Sequence, residues 1–490
     1  MKKRLSLAAT GAAVALLALP GSALAQQGPS ATALKGQLDT TWVMVAAVLV
    51  LFMQAGFLFL EIGFSRGKNV GAGVAKIFIN LGIATIAWWA VGFGISSLSG
   101  NAIFGTDGFF YALGQDVGGT VQAGSDVALM LFGMLFCAVS LAIVWGTTLE
   151  RIKFSAYVVY AVFFAAIIYP LVAHGVYGGG LLADVGGKPV MDFAGSTVVH
   201  LTGATGGLAA LLLLGPRIGK YAKDGSPRAI PGHSMPIVGL GVVILWVGWY
   251  GFNAGSTFGT SGNAFANVAL NTQLAAAAGA LAACATVFLK TKTVDVGMVG
   301  NGAVAGLVGI TAPSGYVNFW AAPIIGVVAG VLVVYGVLII EKYLDDPVGA
   351  LSAHGLAGIW GTLSIGIFGA PALVLDGAAP GIWYGITGDA SFGSTLGQLG
   401  VQAVGVVAGF LLVFILSYAI FAALKATIGI RVSEEDELAG VDISGHGMYG
   451  YPEQFIPSEE LSAPPITPHV AGTPVASNSV ATNVDRPTTV

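Results

Sequence analysis

The sequence predicts an all-α polytopic membrane protein with eleven transmembrane helices, from its hydropathy, the length of its apolar segments and the placement of its basic residues. Only 9% of the 490 residues are charged and the mean hydropathy is +0.83, whereas soluble globular proteins carry about 25% charged residues. Apolar segments run over 41–62, 70–97, 126–148, 153–175, 192–215, 234–258, 264–289, 294–312, 317–340, 348–370 and 398–428. Each is long enough to cross a hydrocarbon core of about 30 Å at about 1.5 Å per residue.

Ahead of these spans, Met1, Lys2, Lys3 and Arg4 precede an apolar run from Leu5 to Leu19, and Ala23, Leu24 and Ala25 follow it. This is the pattern of a cleavable signal peptide, residues 1–25; a retained first helix is the alternative. A leader of this kind implies a bacterial inner membrane with the mature N-terminus outside, and an odd number of crossings then puts the C-terminus in the cytoplasm. Arg66, Lys68, Arg151, Lys153, Arg217, Lys220, Lys223, Arg228, Lys290, Lys292, Lys342, Lys425 and Arg431 all fall on that predicted cytoplasmic side, and only Lys35 and Lys188 fall outside. Such an asymmetry is the signature of cytoplasmic loops. Lys76, a turn or two into the second span, can snorkel to the same interface. Gly203 with Gly207, Gly302 with Gly306, Gly326 with Gly330, and Gly405 with Gly409 have the small-xxx-small spacing of closely packed helices. The membrane domain thus covers 26–430. Residues 431–451 are charged and turn-rich, a cytoplasmic tail able to dock on that domain, and 452–490 are rich in Pro, Ser, Thr and Val without periodicity, as in a disordered tail.

The fifth and tenth spans echo each other. DFAGSTVVHLTGATGG places Asp192, Gly195, His200 and Gly207 at the same offsets as Asp346, Gly349, His354 and Gly361 in DPVGALSAHGLAGIWG. In an eleven-span chain these two helices run in opposite directions. The expected architecture is therefore an inverted repeat of spans 1–5 and 6–10 with an eleventh helix appended, a transporter plan whose substrate path lies near the midplane. Eight residues of helix advance about 12 Å, so two imidazoles entering from opposite faces reach similar central depths. Ionisable groups at such depth are costly and usually face an interior cavity; the bland alternative for each histidine is an interhelical hydrogen bond. Asp192 and Asp346 suit helix N-caps, and Asp192 can also draw cations to the outer mouth. Phe132 and Phe136, one turn apart, suit core packing; Phe252 in WYGFNAGS is followed by Asn253 and Ser256 on the next turn, and a Ser hydroxyl beside aromatic faces suits a small ammonium ion through a hydrogen bond and cation–π attraction. Glu61 is expected to partner a neighbouring helix.

Several classes lack support. No block of Lys or Arg interleaves with aromatics, and net charge is −4, so nucleic acid is not a partner. Cys137 and Cys284 are far apart, without a CxxC, and read as small core residues. No HExxH or Cys cluster points to a metal or cofactor, and no nucleophile motif points to an enzyme.

DFAGSTVVH at 192–200, WYGFNAGS at 249–256, RGKN at 66–69, Glu150 to Phe154, and His354 within SAHG resemble the ammonium transporter (Amt/Mep/Rh) family over nearly the whole membrane domain, and the tail resembles its bacterial Amt branch. The resemblance implies a homotrimer with one pore per subunit carrying ammonium or methylammonium. It implies Phe136 and Phe252 as a stacked gate with Phe132 nearby, Ser256 at an outer ammonium site supported by Asp192, and His200 and His354 as twin pore histidines. It also implies a PII-type signalling protein as partner for 431–451. Where many bacterial members have Trp in the outer cation site, this chain has Tyr177, a weaker cation–π partner, with His174 near the same mouth and expected at the interface. The implied function is transport in which NH4+ is deprotonated and NH3 passes the histidines, with net proton transfer. An ammonium sensor signalling through its tail, a passive NH3 channel, and a membrane enzyme using paired histidines are the alternatives.

Overall fold

The computed structural model describes residues 29–114 and 121–456; the leader over 1–25 and most of the 452–490 tail lie outside them. Ten helices among the described residues are long and apolar enough to cross a membrane. In chain order, with one shorter helix, they are α1 Ala31–Phe64, α2 Gly67–Ser96, α3 Gly124–Thr147, α4 Phe154–Tyr177, α5 Ser196–Leu214, α6 Met235–Ala254, α7 Ser261–Thr291, α8 Val296–Thr311, α9 Ala321–Ile340, α10 Leu351–Phe368 and α11 Phe392–Thr427. The eighth expected span is α8, a 16-residue apolar helix that extends about 24 Å at about 1.5 Å per residue. That is short of a full hydrocarbon crossing, and ten is the number established by length and composition.

Packing follows the small residues. α1 lies against α6 and α3, α7 against α8 and α9, and α11 along α5 and α10. A Cβ on Gly326 or Gly330 would sit 2.2 or 2.3 Å from the α7 carbonyls of Ala275 and Gly279, and one on Gly203 would sit 2.4 Å from Ser140 O. These spacings let backbones touch, which is how helices associate where lipid removes the hydrophobic drive. Cys137 is buried and Cys284 half-buried, and both are free thiols. Large apolar side chains such as Phe78, Leu281, Leu289 and Ile415 point outward, as a lipid-facing surface requires.

Charge gathers at the end where α2, α4 and the tail meet. Glu150, at a left-handed φ of +71°, accepts hydrogen bonds from the Arg66 backbone N–H (2.6 Å) and Nε (2.7 Å). Arg217 joins Glu150 at 3.7 Å and Asp345 at 2.9 Å, and Arg151 approaches Asp345 at 3.9 Å. Burial raises the Asp345 carboxyl, but hydrogen bonding to Arg217 and the charges of Arg151 and Arg217 outweigh it and hold the group at about 2.

Residues 431–450 dock on this end. Asp442 accepts from the Gly71 and Ala72 N–H groups at 2.9 and 2.8 Å, satisfying free donors near the start of α2. Glu437 accepts from Ile218 N at 2.7 Å and pairs with Arg431 at 2.7 Å. Lys68 donates to the Glu437 and Leu438 carbonyls, and Asn69 Oδ1 accepts from Val441 N at 3.0 Å. RGKN and the stretch from Glu150 therefore act as the seat of the tail. Beyond it, Pro452–Phe455 forms one helical turn.

Candidate functional site

His200 and His354 meet, as their mirrored positions require. Each is placed by the same local device. Gly195 and Gly349 adopt left-handed φ of +113° and +74°, a conformation that costs a residue with a Cβ about 1 kcal/mol or more. The preceding aspartates then cap the new helix: Asp192 accepts from the N–H groups of Gly195, Ser196, Thr197 and Val198 at 2.7–3.0 Å, and Asp346 from Gly349 at 3.1 Å and Leu351 at 2.7 Å. Both helices open with a widened π turn, Ser196–Leu201 and Leu351–Leu356, and the histidines sit within these turns. Phe252 occupies another, Tyr250–Ala254. Such turns are rare and cluster at functional sites.

The two imidazoles face each other through Nδ1 atoms 3.2 Å apart, with rings 23° from parallel. Two neutral rings make this contact only if one donates Nδ1–H and the other accepts at Nδ1. His200 Nε2 is buried with no hydrogen-bond partner. Its ring lies 5.1 Å from Trp249 and 5.4 Å from Phe252, and Trp249 is held by Thr311 Oγ1 at 2.8 Å.

On the other side of Phe252 stands Phe136, stacked at 3.9 Å and 3° from parallel. Phe132 follows at 4.4 Å from Phe136, and Phe258 meets Phe132 edge-on at 5.7 Å. Beyond this stack opens a vestibule of about 1200 Å³, whose lining includes Phe132, Phe136, Tyr177, Ser256, Asp107 and Asp126. Ser256 Oγ donates to Phe252 O at 2.9 Å, which leaves the oxygen's lone pairs to accept from an ammonium N–H.

Of the expected site residues, the vestibule gathers Phe132, Phe136, Tyr177 and Ser256; Phe252 closes its floor, and His200 and His354 lie beyond. Asp192 is absent from the vestibule lining, its carboxylate engaged by the α5 backbone. His174 is not at an interface: it is 1% exposed, with its ring nitrogens 2.9 and 2.7 Å from the Ser97 and Asn101 carbonyl oxygens, because the 97–101 loop folds over it. Glu61 has no hydrogen-bond partner for either carboxylate oxygen, and its link to a neighbouring helix is electrostatic, to Lys76 on α2. Trp249, against the His200 ring, and Trp88, in the vestibule lining, were not singled out from sequence; only the echo that located His200 offered a route to its ring neighbour. Among the described residues no cluster of His, Cys, Asp or Glu is suited to a metal ion.

The Ammonium Transporter Family model matches residues 41–451. The chain belongs to the ammonium transporter family. Among its relatives, ammonium transporter Amt2 of Archaeoglobus fulgidus is 42% identical over 439 residues, covering 86% of this chain and 90% of that one. The ammonium transporter of Aquifex aeolicus is 36% identical, covering 84% and 93%. Among solved structures, a sensor Amt protein superposes with a TM-score of 0.76 at 33% identity, covering 84% of this chain and 99% of that one. Candida albicans Mep2 gives 0.72 at 28% identity, covering 84% and 90%. The family therefore supplies a multi-pass helical membrane protein whose named relatives are transporters, and the histidine pair, phenylalanine stack and vestibule lie within the matched residues.

Proposed function

We propose that this chain carries ammonium across a bacterial inner membrane by stripping its proton at the phenylalanine stack and passing NH3 and the proton separately along the histidine pair. The observation that carries this reading is the Nδ1–Nδ1 contact of 3.2 Å beyond two stacked rings. NH4+, or methylammonium, rests among Tyr177, Phe136, Phe252 and Ser256, with Phe132 behind and Asp192 holding the backbone of α5 that presents His200.

Energetics favour deprotonation. Moving an intact ion of this size into a low-dielectric interior costs about 20 kcal/mol in the idealised limit, less after relaxation. An ammonium with an acidity near that of lysine loses its proton at pH 7 for about 4 to 5 kcal/mol. K+ has no proton to lose and meets the larger barrier. The histidines offer the proton a route: one added at His200 Nε2 shifts the shared proton from His200 Nδ1 to His354 Nδ1, and one leaves His354 Nε2. One proton enters and one departs.

The same reading takes α8 as a crossing, giving eleven spans, an inverted repeat of the first ten, the N-terminus outside and the tail in the cytoplasm. It also takes a homotrimer as the assembly and a PII-type protein as the partner of 431–451. A sensor role is the second reading, favoured by the likeness to a sensor Amt protein and by a tail bonded to the start of α2. Measurable flux separates the two. The test is ammonium-evoked current in proteoliposomes for the wild type and His200→Ala: current lost in the variant supports the relay, and current intact in the variant removes it.

A further inference from the structure

Past the histidine pair lies a second, smaller chamber. It has a volume of about 20 Å³ and is lined by Glu61, His354, Phe57, Gly146, Asn301 and Val348 among others. Room for one water takes about 10 to 15 Å³, so the chamber holds a single small molecule such as water or ammonia. His354 is therefore exposed, on the side away from the vestibule, to a space that also contains a carboxylate.

Glu61 is unusual in that space. It is 1% exposed, and neither of its side-chain oxygens has a hydrogen-bond partner. It lies over Gly146, where an added Cβ would stand 3.6 Å from Oε1. The charge of Lys76 on α2 acts on it, yet no ion pair within 4 Å joins them. A buried carboxylate with neither a hydrogen bond nor a contact ion pair is strongly disfavoured. A fold that keeps one on the wall of the chamber that His354 also lines presents an acceptor for a proton or a cation.

We propose that Glu61 is the inner proton station of the pore, taking the proton that leaves His354 and returning it to ammonia before release. This rests on the reading of the histidine pair as the conduction path. The His354 N–H bond breaks toward a water in the chamber while an O–H bond of that water breaks toward Glu61, so the water is regenerated and the carboxylate becomes a carboxylic acid. The lone pair of an arriving NH3 then takes that proton. NH4+ forms, Glu61 returns to its carboxylate, and the ion pair holds the cation until it leaves. No oxidant or further reactant is required. The outer vestibule binds ammonium through aromatic faces and a hydroxyl; the inner chamber binds it through a full negative charge.

The test uses the full chain in proteoliposomes and reads two signals on each variant: ammonium-evoked current, and neutral ammonia permeation followed with an internal pH dye. For Glu61→Gln, which keeps shape and removes the acid, the expected result is a current at least about tenfold lower with ammonia permeation within about threefold of wild type. Glu61→Asp is expected to restore most of the current. Current unchanged in Glu61→Gln overturns the proposal. So does an equal loss of current and permeation in Glu61→Gln and Glu61→Asp, which identifies Glu61 as a packing group. A wild type that conducts ammonia without current overturns the charge-transfer reading, and this proposal with it, before any variant is compared.

Discussion

Buried charge is treated in opposite ways at two places in this molecule. At the end where the tail docks, Arg66, Glu150, Arg151, Arg217 and Asp345 each have an opposite charge within 4 Å. Along the proposed path, His200 Nε2 and both oxygens of Glu61 have no hydrogen-bond partner. The first arrangement is what burial normally requires, since an uncompensated charge costs several kcal/mol. Ion pairing thus marks the end that seats the tail, and the proposed path runs past titratable groups that lack it.

The largest effect that can break this contrast is on the paired side. Asp345→Ala leaves Arg217 and Arg151 buried beside a vacancy, and is expected to lower stability by about 3 to 5 kcal/mol, read as a drop in the melting temperature of detergent-solubilised protein. Melting within a degree of wild type would show the cluster to be dispensable. On the unpaired side, His200→Ala is expected to cut ammonium-evoked current by about a hundredfold while costing less stability than Asp345→Ala, because no charge is stranded. The reverse ranking of the two variants in melting would erase the distinction.

Acid titration sharpens the comparison further. Asp345 sits near 2 in the folded protein, below its ordinary value of about 3.9. Its contribution to stability is therefore complete above about pH 4 and is lost as pH falls toward 2, by about 2 kcal/mol. Melting followed from pH 5 to pH 2.5 should decline in wild type and stay flatter in Asp345→Asn; parallel declines would assign the acid sensitivity elsewhere. The smallest effect lies in the vestibule. Tyr177→Trp adds a stronger aromatic face for a cation, worth about 0.5 to 1 kcal/mol at an exposed site. The half-saturating ammonium concentration should fall two- to fivefold by about that energy, and an unchanged value would place Tyr177 outside the recruitment site.

Much of this was legible in the residues, for identifiable reasons. Long apolar runs must become spans in a membrane, so ten helices appear where hydropathy places them, though α1 begins at Ala31 rather than near residue 41 and α11 at Phe392 rather than 398. The contact of His200 with His354 followed from one repeated offset, Asp-x-x-Gly-x-x-x-x-His, because a capped left-handed glycine sets the depth of the side chain five residues on. Other features need three-dimensional context. The π turns at Ser196–Leu201 and Leu351–Leu356 leave no period in the sequence. Nothing local distinguishes Glu61, unpartnered in a chamber, from Glu150, clamped by two arginines; only the neighbours brought by α2, α3 and the 345–348 turn do that. His174 read as interfacial because it is polar and near a mouth, and the loop over 97–101 that buries it was not visible as a lid.

In the proposed mechanism ammonium crosses as a base and a proton that travel by separate routes. An ammonium pulse applied to proteoliposomes, with membrane current and lumenal pH recorded together and K+ substituted in a parallel run, tests this most directly. Separate routes give an inward current for ammonium, little lasting alkalinisation inside because the proton arrives with the ammonia, and no current for K+. A rise in lumenal pH without current, or a K+ current of similar size, would contradict it.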